Sequence, residues 1–206
     1  MNTTYNQPYP NPNDIAASAV YPTRTLEISY EGKLSRTINV LEPTSTTPLY
    51  TIKTKALKPH LTFTSSTSPS TDPIATVSFH NLSRKIDITI RGQATTLKPE
   101  WKLKSTYSYT SPNTSSARTW QANKLVSTDM VCLDENGIAL ARWTFPKWSM
   151  TKLGTLEIVG DGVGEEAMLE ELVVVGVTVA YHIVQQTGAA AASAAGAAGG
   201  AAAAAG

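Results

Sequence analysis

The chain has 206 residues, a formal net charge of +1 and one cysteine. That length suits a single domain, and near-neutrality supplies no global field toward nucleic acid or a membrane. A lone cysteine excludes an internal disulfide, which fits a reducing compartment.

Residues 1–22 are rich in Asn, Pro and Thr, with few bulky apolar groups. They read as a disordered arm. No basic stretch followed by an apolar run occurs near Met1, so no signal peptide is visible and a cytoplasmic or nuclear location is expected. The Asn-x-Ser/Thr matches at Asn2, Asn81 and Asn113 then carry little weight.

From Thr25 onward, alternation dominates. Leu26, Ile28 and Tyr30 alternate with polar residues, as do Ile38 and Val40, and Tyr50 and Ile52. Val77 and Phe79 follow, then Ile86, Ile88 and Ile90, then Trp101, Leu103, Tyr107 and Tyr109. A period of two over short runs marks strands with one buried and one wet face. Turn residues separate them: Glu31-Gly32, Pro43, Pro59, Pro73, Arg91-Gly92 and Ser111-Pro112-Asn113. Met130–Asp134 returning as Ile138–Phe145 around Asn136-Gly137 reads as a hairpin whose two central residues take positive φ. A last strand is expected over Thr155–Val159. Many short strands of this kind indicate a sandwich or barrel.

The pattern then changes. Residues 165–186 run without a turn signal for roughly four times the usual strand length. Acidic residues at Asp161, Glu165 and Glu166 suit a helix N-terminus, and Gly188 stands where a helix would stop. A helix over about 165–186 is expected. From Leu172 to Val184 it is apolar around its circumference, which requires burial on every side. The uncharged run is short for a membrane span and lacks basic flanks, so no transmembrane segment is assigned. Residues 188–206 are Ala and Gly with one Ser, a low-complexity tail. The expected fold is therefore mainly β (α+β), with a single domain over 23–187.

A train of strands closed by an apolar C-terminal helix resembles the tubby-like architecture, together with its LURP-one-related and scramblase-like relatives. The chain is most similar to a fungal domain-of-unknown-function family associated with that class. The resemblance spans about Thr25 to Gln186. It is carried by Pro99-Glu100-Trp101-Lys102, Trp120, the Gly137–Phe145 strand, and Gly154-Thr155-Leu156-Glu157-Ile158 leading into Leu169–Ile183. It implies a closed antiparallel β-barrel wrapped around one buried apolar helix. It implies no activity, and a tubby-type phosphoinositide site does not map onto these residues one by one.

Candidate chemistry is sparse. His60, His80, His182 and Cys132 have no metal-ligand spacing. His182 reads as a hydrogen-bonded core or helix-end histidine, and Cys132 as a small buried hydrophobe. Gly160-x-Gly162-x-Gly164 lacks the Lys-Ser/Thr of a P-loop and the spacing of a dinucleotide fingerprint. No catalytic residue, metal site or cofactor is assigned. Charge is the remaining signal: between Tyr50 and Leu125 there are eleven Lys/Arg against three Asp/Glu. Between Thr155 and Glu171 there are six acidic residues and no basic one. Lys53, Lys55, Lys85, Arg91, Lys102 and Lys104 have the outward parity of their strands and are the candidate anion-binding residues. Trp101, Tyr107 and Tyr109 have inward parity, so no base-stacking platform and no nucleic-acid partner are expected. The leading expectation is a non-enzymatic binding or scaffold domain for anionic lipid headgroups or a protein partner. The alternative is an enzyme or ligand carrier with a pocket assembled from sequence-distant residues. A membrane-anchored protein using the apolar helix is the third class.

Overall fold

The computed structural model describes residues 23–32, 35–66, 72–80, 83, 85–100, 106–122, 129–147, 149, 151–160 and 165–203, with side chains through 187. Twelve strands precede one helix. The strands are β1 (Thr23–Tyr30), β2 (Thr37–Leu41), β3 (Tyr50–Thr54), β4 (Leu61–Ser65), β5 (Ala75–Phe79) and β6 (Ile86–Ile90), followed by β7 (Gln93–Glu100), β8 (Thr106–Thr110), β9 (Ala117–Ala122), β10 (Met130–Leu133), β11 (Ala139–Thr144) and β12 (Lys152–Val159). Each pairs antiparallel with its sequence neighbour, and β1 pairs with β12 to close the barrel. Closure removes the two free edges that an open sheet would expose.

Helix α1 (Glu166–Ala203) fills the interior. Every residue from Leu169 to Ala180 is buried, which is more than three full turns. Only enclosure on all sides produces that pattern. Inward residues of the strands meet it: Leu26 and Ile28, Ile38 and Val40, Ile52, Phe63, Trp120, Trp143, Leu156 and Ile158 are all buried. The polar stagger of the outward faces follows from the period of two.

Two backbone details adapt the wall to the helix. Between Ile28 and Ser29 the register slips by one on β12, so Leu153 and Gly154 are both buried. That bulge brings Gly154 under the indole of Trp143, where a Cβ would overlap the ring. On the helix, Gly176 does the same for Trp120, since a Cβ there would lie 3.2 Å from the indole carbons. Both tryptophans therefore have a glycine as their floor.

Several expectations are refined. No strand is expected from sequence at β4, β7 or β9, yet all three complete the wall. The hairpin between β10 and β11 is present, but only Gly137 has positive φ, at 79°. Gly137 N–H donates to Asp134 O at 3.1 Å, and Asp134 Oδ1 accepts from the N–H groups of Asn136 and Ile138. The extra residue is absorbed as a bulge beside a type I turn, instead of the two-residue turn that Asn-Gly suggests. Positive φ at both central positions is found at Arg91 (49°) and Gly92 (80°) between β6 and β7. The helix also does not stop at Gly188 but continues to Ala203. Alanine's helix preference outweighs the glycines among them. Residues 1–22, Trp101, Leu103 and the Gly162–Gly164 part of the glycine run lie outside the described residues.

Gly154→Ala is expected to destabilise the barrel by about 1–3 kcal/mol, the usual cost of overpacking a filled core. Urea unfolding would measure it. A variant as stable as the wild type would mean that Trp143 has space to move.

Candidate functional site

Antiparallel neighbours place their connections alternately at the two ends of the barrel. The chain passes from β12 into α1 at one end, here the entry mouth, together with the β2–β3, β4–β5, β6–β7, β8–β9 and β10–β11 connections. The helix leaves through the other, the exit mouth, where the β1–β2, β3–β4, β5–β6, β7–β8, β9–β10 and β11–β12 connections lie. Charge is divided between them.

At the entry mouth, arginines are spent on glutamates. Arg24 reaches Glu42 at 2.6 Å. Arg91 holds Glu170 through two bonds, Nε to Oε1 at 3.0 Å and Nη2 to Oε2 at 2.8 Å. Glu171, fully buried in the first turns of α1, accepts four hydrogen bonds: from Tyr109 Oη (3.0 Å), Arg118 Nη1 (2.7 Å), Ser111 Oγ (2.7 Å) and Asn113 Nδ2 (2.8 Å). A buried carboxylate is tolerated when it is paired and saturated in this way. Carboxylates near a helix N-terminus also gain from its dipole. Burial first, then the nearby Glu170 and Glu166, pushes the Tyr50 phenol up to about 12. Asp134, Glu135, Glu165 and Glu166 remain at this end without an ion-pair partner among the described residues.

The exit mouth has the opposite sign. Arg36 ends the β1–β2 connection, Lys55 and Lys58 lie in β3–β4, Lys85 in β5–β6, and Lys147 in β11–β12. All five are exposed, and none has a carboxylate within ion-pair distance among the described residues. Lys53 and Lys98 are exposed near the same end of β3 and β7. The β3–β4 and β5–β6 connections touch, because Lys58 Nζ lies 3.3 Å from His80 Nδ1. Lysine can only donate, so His80 accepts at Nδ1 and donates from Nε2 to Asp87 Oδ2 at 2.6 Å. The His80 bond, joined by one from Thr96, holds the Asp87 carboxyl below its ordinary value against a smaller opposing effect of burial.

All three histidines gather at this mouth. His60 Nδ1 accepts the Phe79 backbone N–H at 3.0 Å. Phe79 stacks on His182 with centroids 5.3 Å apart, and His182 Nδ1 lies 3.1 Å from Tyr107 Oη. His182 is thus a hydrogen-bonded residue where the helix emerges, as its sequence position implies. Cys132 is completely buried, and burial drives its thiol far above the ordinary range. Burial of this kind disfavours the thiolate that nucleophilic chemistry needs.

The sequence candidates separate accordingly. Lys53, Lys55 and Lys85 come together at the exit mouth. Arg91 lies at the opposite end, locked onto Glu170. Lys102 and Lys104 lie outside the described residues. Sequence reasoning missed Arg36, which is in step with the inward Ile38 and Val40, and Lys58 and Lys147, which lie beyond the alternation of any strand. A second feature is an open depression of about 690 Å³ lined by Thr95, Thr96, Lys98, Ser108, Thr110 and Ser115 among others. It lies beside the stretch of β7 and β8 that their ladder, which spans only Lys98–Glu100 against Thr106–Ser108, leaves unpaired.

Removing one partner of the buried pair, as in Arg118→Met, leaves Glu171 charged without its cation and is expected to cost about 3–5 kcal/mol. Chemical denaturation would show it, and a loss below about 1 kcal/mol would mean that the carboxylate finds other compensation. His60 supplies a pH signature. Burial first, then Lys58 and His80, lowers its pKa from the ordinary 6.5, and its Nδ1 must stay unprotonated to accept the Phe79 N–H. The unfolded chain therefore takes up the proton first, so stability falls as the pH drops below 6.5. His60→Asn, which keeps an acceptor without titrating, is expected to lose that part of the decline in urea midpoints between about pH 7 and pH 5. Identical slopes for both proteins would contradict it. Compared with protein-family models, curated proteins and solved structures, the chain matches none.

Proposed function

We propose that this protein is a non-enzymatic binding domain whose exit mouth attaches to anionic lipid headgroups. The observation that carries this reading is the division of charge along the barrel axis. Entry-mouth arginines are paired with glutamates, whereas exit-mouth Arg36, Lys55, Lys58, Lys85 and Lys147 have no carboxylate partner among the described residues. A formal net charge of +1 conceals this polarity. A surface of this kind orients the molecule in an anionic field, one mouth attracted and the other repelled. Each basic residue near an anionic leaflet contributes about 1 kcal/mol, and salt screens the sum. Kinship with tubby-like domains belongs to the same proposal, supported by twelve antiparallel strands around a C-terminal helix. The second reading, a carrier for a small polar ligand, is favoured only by the hydroxyl-lined depression beside β7 and β8.

Sedimentation with phosphatidylcholine vesicles, with and without phosphatidylserine, tests the first reading at low salt. Binding is expected only with the anionic lipid and is expected to weaken as salt is added. Lys55→Gln, Lys58→Gln and Lys85→Gln together should weaken it on the order of a hundredfold, while Glu135→Lys at the far mouth should not. Failure of the wild-type protein to sediment with anionic vesicles overturns the proposal.

A further inference from the structure

The β3–β4 connection reads Lys55-Ala56-Leu57-Lys58-Pro59-His60, and Leu57 is 80% exposed. The other exposed large hydrophobic among the described residues, Ile138 at 59%, sits at the opposite mouth, in the turn that holds Asp134 and Glu135. A single exposed leucine is ordinary on a protein surface. This one differs in its setting. The loop is fastened, with Lys55 N–H donating to His60 O at 2.8 Å and His60 N–H to Val77 O at 2.7 Å. The His60 ring accepts the Phe79 N–H, and Lys58 bonds to His80 on the neighbouring loop. Leu57 is therefore presented by an anchored loop, with lysines one residue after it and two before it, and with Lys85 on the connection that Lys58 touches.

We propose that Leu57 is the insertion point of a bilayer-docking surface: its side chain enters the apolar boundary beneath the headgroups while Lys55, Lys58 and Lys85 pair with lipid phosphates. This rests on the attachment of the exit mouth to anionic surfaces and names the partner as a membrane. A soluble polyanion would engage the lysines and leave Leu57 in water. A bilayer interface accepts both, because its charge lies above an apolar layer. The docked orientation also turns the outgoing end of α1 toward that layer. The sequence has no Asp, Glu, Lys or Arg after Glu171, so no formal charge on this segment opposes the approach. Transfer of one leucine side chain out of water strengthens binding about tenfold to a hundredfold.

Two variants test the docking. In Leu57→Cys, a polarity-sensitive fluorophore can be attached selectively, since Cys132 is buried and its thiol is held protonated. Its emission should shift to the blue on addition of phosphatidylserine-containing vesicles, and quenchers placed just below the headgroups should reach it. The same label on Ile138→Cys should stay in water. Leu57→Ser, at a site too exposed to disturb folding, should weaken vesicle binding about tenfold or more while binding of soluble heparin stays unchanged. If the wild type binds anionic vesicles but the label does not shift and Leu57→Ser binds equally well, insertion is overturned and electrostatic attachment stands. If the wild type binds no vesicles, both proposals fall together.

Discussion

Everything in this molecule follows from enclosing a helix on all sides. A helix that lies against a sheet has one apolar stripe and one wet face, but α1 between Leu169 and Ala180 has no wet face. Its outward-pointing groups must be apolar, absent or fully bonded. Valines at 173–175, 177 and 179 meet the first condition, and Gly176 beneath Trp120 meets the second. Thr178 meets the third by donating its hydroxyl to Val174 O at 2.6 Å. Glu171 meets it with four donors drawn from β8, β9 and their connection. The pairing of Glu171 with Arg118 also specifies depth and rotation of the helix, since a slip by one residue would carry a carboxylate into the apolar ring.

The same enclosure assigns the two mouths their character. Because α1 begins at the entry mouth, its N-terminal dipole end attracts carboxylates there. Those carboxylates in turn recruit Arg91 and Arg118 from the wall. The arginine fork suits such bidentate or saturated bonding better than lysine does. Lysines are left for the opposite end, where the helix exits and the connections project beyond the strand ladder. The axial charge division is thus linked to the way the helix is held, and it leaves Arg36, Lys55, Lys58, Lys85 and Lys147 exposed at the mouth where the helix emerges.

Sequence alternation identified most of the wall and failed where the inward face carries unusual residues. In β9 the inward positions are Arg118 and Trp120, and a charged residue at the first conceals the period. In β7 only Leu97 is buried, so no alternation exists to be read. In β4, Leu61 and Phe63 do alternate, but threonines and serines around them read as punctuation. The candidate basic residues show the same limit. Parity correctly sends Lys53 to solvent but says nothing of Lys58, and it would turn the exposed Arg36, in step with Ile38 and Val40, inward. It also cannot show that Arg91, at 55% side-chain exposure, is bonded to a glutamate 79 positions away.

What the sequence determined by itself was local and periodic: strands where apolar residues recur every second position, a helix where they run unbroken, and the burial of Cys132. These follow from side-chain direction along a chain, which depends only on neighbours. The tertiary structure alone decided which ends of which strands share a mouth and which charges are neutralised. Those outcomes depend on barrel closure, which joins β1 to β12, and on pairs such as Arg91–Glu170 and Arg118–Glu171. Contacts between residues so far apart in the chain leave no periodic mark in it.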